Sequence, residues 1–262
     1  RNPTVLSTGE IMFARWDHVG NRNHFPIFFT NPDGTNIFVQ YGAFSPGNSF
    51  LHPREMPDGR VLSALMPLSG TREGGALVAV DIRNFSENDE PASSAVPADA
   101  KGQQQVTLFD INFGREISQF GRYTTPYPLW DGTPRALVSW SPFRPAEETN
   151  PLTGEVMEVE GEPLYGVYMF DMQAQTLRPV ALPEEGWAYT DAVAVQARPA
   201  PNAVADKPLD EKLAAEGVGI LNVKSVYDTD GLGIMGQRVL VSGESLPMMA
   251  APADDSRSEV PD

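Results

Sequence analysis

Residues 14–36 read ARWDHVGNRNHFPIFFTNPDGTN. The stretch holds His18 and His24, two of the chain's three histidines, beside an apolar run and an Asn31-Pro32-Asp33-Gly34 turn. Proline at the second turn position pre-sets φ, and Asp-Gly accepts the positive φ that follows. The runs on either side, GEIMFARW (9–16), FPIFFTN (25–31) and TNIFVQYG (35–42), are short, rich in β-branched and aromatic residues, and lack helical periodicity. They read as strands.

The same grammar recurs along the chain. NSFLHPREM (48–56) leads through Pro57-Asp58-Gly59 into RVLSALMPL (60–68) and then GALVAVDIR (75–83). YTTPYPLW (123–130) leads through Asp131-Gly132 into RALVSWSPF (135–143), then LYGVYMFDM (164–172) and TLRPVALP (176–183). A fourth unit is expected to open with WAYTDAVAVQARP (187–199) and resume with VGILNVKSVYD (218–228). Each unit has a first strand, an Asp/Gly-rich turn, an apolar second strand and a third strand ending in Asp. Repetition at a period of roughly 40–50 residues is the sign of a propeller whose blades are four-stranded antiparallel meanders. The expected fold is therefore all-β: a β-propeller over residues 1–245, or the larger part of one, with an acidic tail at 246–262.

Two interruptions break the repeat. Residues 87–105 are low in complexity and read as a surface loop, and residues 146–163 as a small hairpin insertion. One short helix is expected over Leu209–Glu216, stopped by Gly217.

Composition narrows the partners. Nineteen Lys and Arg against 35 Asp and Glu give a net charge of −16, which repels nucleic-acid phosphates and anionic lipid. No apolar run approaches the ~18 residues that span a bilayer, so membrane insertion is not expected. The absence of cysteine removes disulfides, thiolate metal sites, a Cys nucleophile and covalent haem attachment from these residues. The opening RNPTVLSTGEIMF and the closing APADDSRSEVPD read as cut ends of a processed or longer chain.

Candidate chemistry centres on the opening stretch. His18, His24 and Asp17, with His52 at the start of the next unit, are a His/carboxylate set of the kind that holds zinc or iron. The competing reading makes Arg15, Asp17, His18, Arg22 and Asn23 a polar corner that satisfies backbone groups where the chain turns. Tyr123, Tyr127 and Trp130 could line a ligand groove or act as wedges between blades. No Gly-x-Ser-x-Gly elbow is present, and Asp228-Thr229-Asp230-Gly231 opens like a calcium loop but lacks the later ligands.

WDHVGNRNHFPIFFTNPDGTN, ALVSWSP, YGVYMFD, YTDAVAVQARP and GVGILNVKSVYDTDG, in that order and spanning most of residues 8–231, resemble the TolB-like propellers. More narrowly they are similar to the middle domain of the hydrazine synthase α-subunit family. The resemblance implies an exported, periplasmic protein, a propeller scaffold and flanking cytochrome-like domains. Haem c would then lie only in those flanking domains, because Cys-x-x-Cys-His is missing here. The functional expectation is a non-catalytic scaffold that docks other protein domains or subunits within a redox-associated protein. The alternative is a propeller that completes the active site of a haem- or metal-dependent oxidoreductase.

Overall fold

The computed structural model describes residues 1–19, 22–47, 49–66, 68, 73–97, 99–108, 111, 117–206, 208, 210–218, 238–241 and 244–247. The chain divides into two compact units, Arg1–His18 with Arg22–Lys207, and Val19–Asn21 with Pro208–Asp262.

The first unit is built from three four-stranded antiparallel sheets. In the first, β1 (Thr4–Val5) and β2 (Ile11–Ala14) are followed by a two-stranded hairpin, β3 (Asp17–Val19) and β4 (Arg22–His24). The chain then returns as β5 (Ile27–Thr30) and β6 (Phe38–Tyr41), giving the order β1-β2-β5-β6. The sheet thus begins earlier than the opening strings suggest. GEIMFARW supplies its second strand, and the Asn31–Gly34 turn joins the third strand to the fourth, not the second to the third.

The second sheet comprises β7 (Ser49–Glu55), β8 (Val61–Met66) and β9 (Ala76–Val80). After a small hairpin of β10 (Phe85–Glu87) and β11 (Glu90–Pro91), β12 (Gln103–Gln105) pairs back on β9. The segment read as a plain surface loop thus ends in a sheet strand, and its Val96 and Ala100 pack on the core. Its buried Glu87 accepts from the Ala43 amide at 2.9 Å and Ser45 Oγ at 2.5 Å, tying it to the first sheet's loop.

The third sheet has β13 (Arg122–Pro128) and β14 (Arg135–Ser141), then an inserted hairpin, β15 (Pro145–Thr149) and β16 (Val156–Glu160). β17 (Gly166–Asp171) and β18 (Thr176–Ala181) complete the order β13-β14-β17-β18. Here the hairpin read from residues 146–163 is present.

The middle sheet explains the apolar runs of the sequence. Every residue of β8 and β9 is buried, because both faces of this sheet are covered. Val61 and Leu65 meet Met12, Ile27 and Phe29 of the first sheet, while Leu62 and Ala64 meet Ala136, Val138 and Phe170 of the third. Burying each large side chain stabilises the fold by about 1.5–3 kcal/mol. Backbone bonds stitch the first strand of the second and third sheets to the residues just ahead of the preceding sheet's third strand. The Phe50 amide donates to Phe25 O at 2.9 Å, and Gly75 and Tyr123 exchange two bonds of 2.9 Å.

Residues 182–206 form no strand. The fourth unit expected from WAYTDAVAVQARP is therefore an irregular strap, and the residues after Val218 that were to resume it lie outside the described set. Tyr189, Ala192 and Ala194 cover Leu137 and Val167 on the outer face of the third sheet. Further on, the Asn202 amide donates to Ser7 O in the first sheet at 2.9 Å.

In the second unit α1 (Glu211–Glu216) is shorter than read. Its Asp210 side chain accepts from the Lys212 and Leu213 amides, and left-handed Gly217 closes it. β19 (Arg238–Val241) and β20 (Glu244–Pro247) pair as a hairpin over part of the expected tail, and residues 248–262 lie outside the described set. No helix among the described residues is long and apolar enough to cross a membrane.

Candidate functional site

Three segments share an unusual backbone device. Asn2, His52 and Thr125 have φ of 54, 52 and 45°, each is followed by proline, and each stands seven residues before the turn glycine (2 to 9, 52 to 59, 125 to 132). In the second and third sheets the device falls within the first strand. β7–β8 pairing slips between Leu51 and Arg54, and β13–β14 pairing between Thr124 and Tyr127. Proline cannot donate to the ladder, so the two residues bulge and the first is re-aimed. A left-handed residue costs about 1–2 kcal/mol, and β-branched threonine tolerates it poorly. Asp191 in the strap is also left-handed, φ 55°, but followed by alanine; Asn36 and Gln175, at φ 56 and 54°, share the conformation without the proline.

These positions come together. Asp191 Oδ1 lies 3.5 Å from His52 Nδ1, and the Asp191 amide donates to Thr125 Oγ1 at 3.1 Å. Arg54 Nη1 donates to Asn2 O at 3.3 Å and Pro53 O at 3.0 Å. On the other side of the imidazole, Glu73 Oε1 lies 3.8 Å from His52 Nε2. The His52 side chain is 12% exposed, whereas the carboxylates of Glu73 and Asp191 are 51% and 58% exposed. One imidazole is therefore held between two carboxylates that reach solvent.

The surroundings set the charges. His52, as donor and as charge, holds the Glu73 carboxyl below its usual range against the opposing effect of burial. Burial lowers the pKa of Arg54, while Asp191 and Tyr127 push it back up. Tyr165 Oη donates to the Glu73 carbonyl and fixes that residue's backbone. Burial pushes the Tyr165 phenol well above its ordinary value.

The opening stretch folds into a different site. Arg15 pairs with Asp17 at 3.3 Å and stacks over the Phe28 ring at 4.8 Å. Trp16 Nε1 donates to Asn23 Oδ1 at 2.6 Å, and the His18 ring is 6.4 Å from the Trp16 ring. Four of the five named corner residues, Arg15, Asp17, His18 and Asn23, thus take part in an ion pair, a hydrogen bond or a ring contact, while the Arg22 side chain lies outside the described set. His24 is buried in the adjoining strand. No group of three or more His, Asp or Glu among the described residues is arranged to hold a metal ion. Asp228–Gly231 lies outside the described residues.

The three aromatic candidates separate. Tyr123 is a core residue, 3% exposed and 5.6 Å from the Phe170 ring, so it presents no face to a ligand. Burial pushes its phenol up to about 12. Tyr127 packs against the Leu129, Leu137 and Val167 cluster. Trp130 lies under the Arg198 guanidinium at 5.5 Å, and its amide donates to Gln196 Oε1 at 2.9 Å.

Sequence reading placed His52 with the other histidines and missed Glu73, Asp191, Thr125 and Arg54. The recurring x-Pro seven residues ahead of glycine was the available signal. Asp191 has neither the proline nor the glycine, so nothing in the sequence ties it to the other three. No family model matches the chain, and neither a curated protein nor a solved structure matches it.

Proposed function

We propose that residues 1–207 are the propeller module of a larger exported, redox-associated protein, and that the module works as a docking scaffold. The observation that carries this reading is the return of one left-handed residue at one position in three segments, with a further left-handed residue, Asp191, touching both His52 and Thr125. The opening segments of four successive units lying side by side around an axis would bring such residues together in this way. A ring of four is the smallest propeller. The polar group at the axis, with its two half-exposed carboxylates, is then the docking centre for a neighbouring domain.

Carboxylate-directed cross-linking of the full-length gene product tests the reading. Glu73 and Asp191 should link to residues outside 1–207, and charge-reversing Asp191→Lys should remove those links. Cross-links confined to residues 1–207 would sink it.

A second reading rests on His52. An imidazole between two carboxylates is equipped to move a proton, so this module could complete an oxidoreductase site whose haem or metal sits elsewhere. Under that reading His52→Ala lowers turnover of the parent protein at unchanged thermal stability. Under the scaffold reading turnover is unaffected.

A further inference from the structure

The strap over residues 189–202 is held without any sheet pairing. Its polar anchors are the Tyr189 amide on Tyr165 O, the Asp191 amide on Thr125 Oγ1, Gln196 between the Trp130 amide and Pro128 O, Arg198 on Val5 O, and the Asn202 amide on Ser7 O. To these is added the 3.5 Å approach of Asp191 Oδ1 to His52 Nδ1. Peptide amides, carbonyls, Gln and Arg keep their state across the neutral pH range. An imidazole is the side chain that changes charge there.

The geometry makes that change consequential. Asp191 faces Nδ1 and Glu73 faces Nε2 of the same ring. Only the imidazolium carries N–H on both nitrogens; the neutral ring donates from one and turns a lone pair outward from the other. With His52 protonated, both carboxylates meet a donor. With His52 neutral, one of them faces a lone pair, and that contact becomes repulsive. Asp191 sits on the strap, whereas Glu73 is anchored through its backbone by Tyr165. The strap is therefore the side free to give way.

We infer that His52 is a pH-sensitive latch: its protonated ring holds the strap against the His52–Glu73 site, and its deprotonation loosens the strap. The charged and titratable groups around it are Glu73 after the second sheet's β8, Asp191 on the strap, Arg54 on its own strand, and Tyr127 beside Arg54 on β13. Arg1 acts on Glu73 from the first sheet's side. Arg54 is charged throughout the pH range in question, Glu73 is held below its usual range, and burial keeps the nearby Tyr165 phenol protonated. The imidazole is thus the group positioned to switch. The latch goes beyond the docking role and needs only the contacts named here, so it stands or falls separately from the ring.

Hydrogen exchange of the intact chain, followed by mass spectrometry at about pH 5.5 and about pH 8 and corrected for intrinsic rates, tests the latch. Peptides covering 189–202 should exchange roughly two- to fivefold faster at the higher pH, the size expected for a partly exposed ion pair. Peptides from β8 and β9 should not change. His52→Gln should remove the difference. So should Asp191→Asn, which keeps the ring and replaces a half-exposed side chain, so it serves if the His52 variant does not fold. Equal corrected exchange at the two pH values, or a difference that persists in the folded variants, would overturn the inference.

Discussion

The buried ion pair between Arg122 and Glu160 offers the sharpest test of how the third sheet holds its inserted hairpin. Arg122 opens β13 and Glu160 ends β16, and the two are bidentate, with Nε to Oε1 at 2.9 Å and Nη2 to Oε2 at 2.7 Å. Their side chains are 2% and 10% exposed, and Arg122 Nη1 also reaches Gly74 O at 3.5 Å. Glu160→Ala removes the acceptor and leaves a guanidinium buried without its carboxylate, a change that costs about 3–5 kcal/mol. For a unit of this size 1 kcal/mol moves the melting temperature by about 2–4 °C, so the variant should melt about 6–20 °C lower. The double variant Arg122→Met, Glu160→Leu should recover most of that loss, because well-packed apolar replacements of a buried pair are often neutral. Urea titration followed by far-UV circular dichroism gives both values. A Glu160→Ala loss below about 1 kcal/mol would place the pair among ordinary surface contacts and refute the argument. So would a double variant as unstable as the single one.

Three further outcomes follow from named contacts. Gly9 has φ +90°, and a Cβ there would stand 2.1 Å from Asn202 O, so Gly9→Ala should cost at least about 1–2 kcal/mol and raise hydrogen exchange at 198–204. Burial raises the phenol pKa values of Tyr41, Tyr123 and Tyr165, with Tyr123 at about 12. A raised phenol stabilises the fold below its unfolded value near 10, and the contribution is lost as pH rises toward 12. Absorbance at 295 nm should therefore show these three silent until the chain unfolds in base, whereas normal titration with intact circular dichroism would contradict the burial. His24→Ala should lower stability by about 2 kcal/mol through lost packing, and His18→Ala by less than about 0.5 kcal/mol. Elemental analysis should find the same metal content in both variants as in the parent, and a stoichiometric metal lost with either histidine would reinstate a metal corner.

Much of the strand content was legible because it is local. Asp58 and Asp131 mark turns by accepting the amides two residues on, at 3.0 Å each, and such Asx turns are written in the residues themselves. RVLSALM and GALVAV read as apolar strands from their own residues, while the cover on both faces of their sheet is supplied by the neighbouring sheets. Assigning strands to their places in a sheet was harder. Thr4–Val5 is too short to show alternation, so the first sheet's opening strand passed unseen and the Asn31–Gly34 turn was placed one connection too early. The strap failed for a different reason. AVAVQAR alternates like a strand, but its neighbours in space offer side chains and single carbonyls instead of a ladder, and alternation cannot report whether a partner is there.

The sequence by itself determined the class of this protein: an acidic, cysteine-free all-β chain cut by Asp-Gly turns, with one capped helical turn and no thiolate chemistry. Those properties depend on neighbouring residues and on totals, and both are visible in one dimension. Only the tertiary structure decided which polar residues meet. His18 and His24 are near neighbours in sequence yet belong to a stacked corner and a buried strand, while Glu73, His52 and Asp191, drawn from three distant segments, share one ring's two nitrogens. Such a meeting depends on the left-handed bulges that turn His52 and Thr125 out of register and on the strap that carries Asp191 back to them. Long-range closure of that kind is fixed by packing between sheets, and no local pattern encodes it.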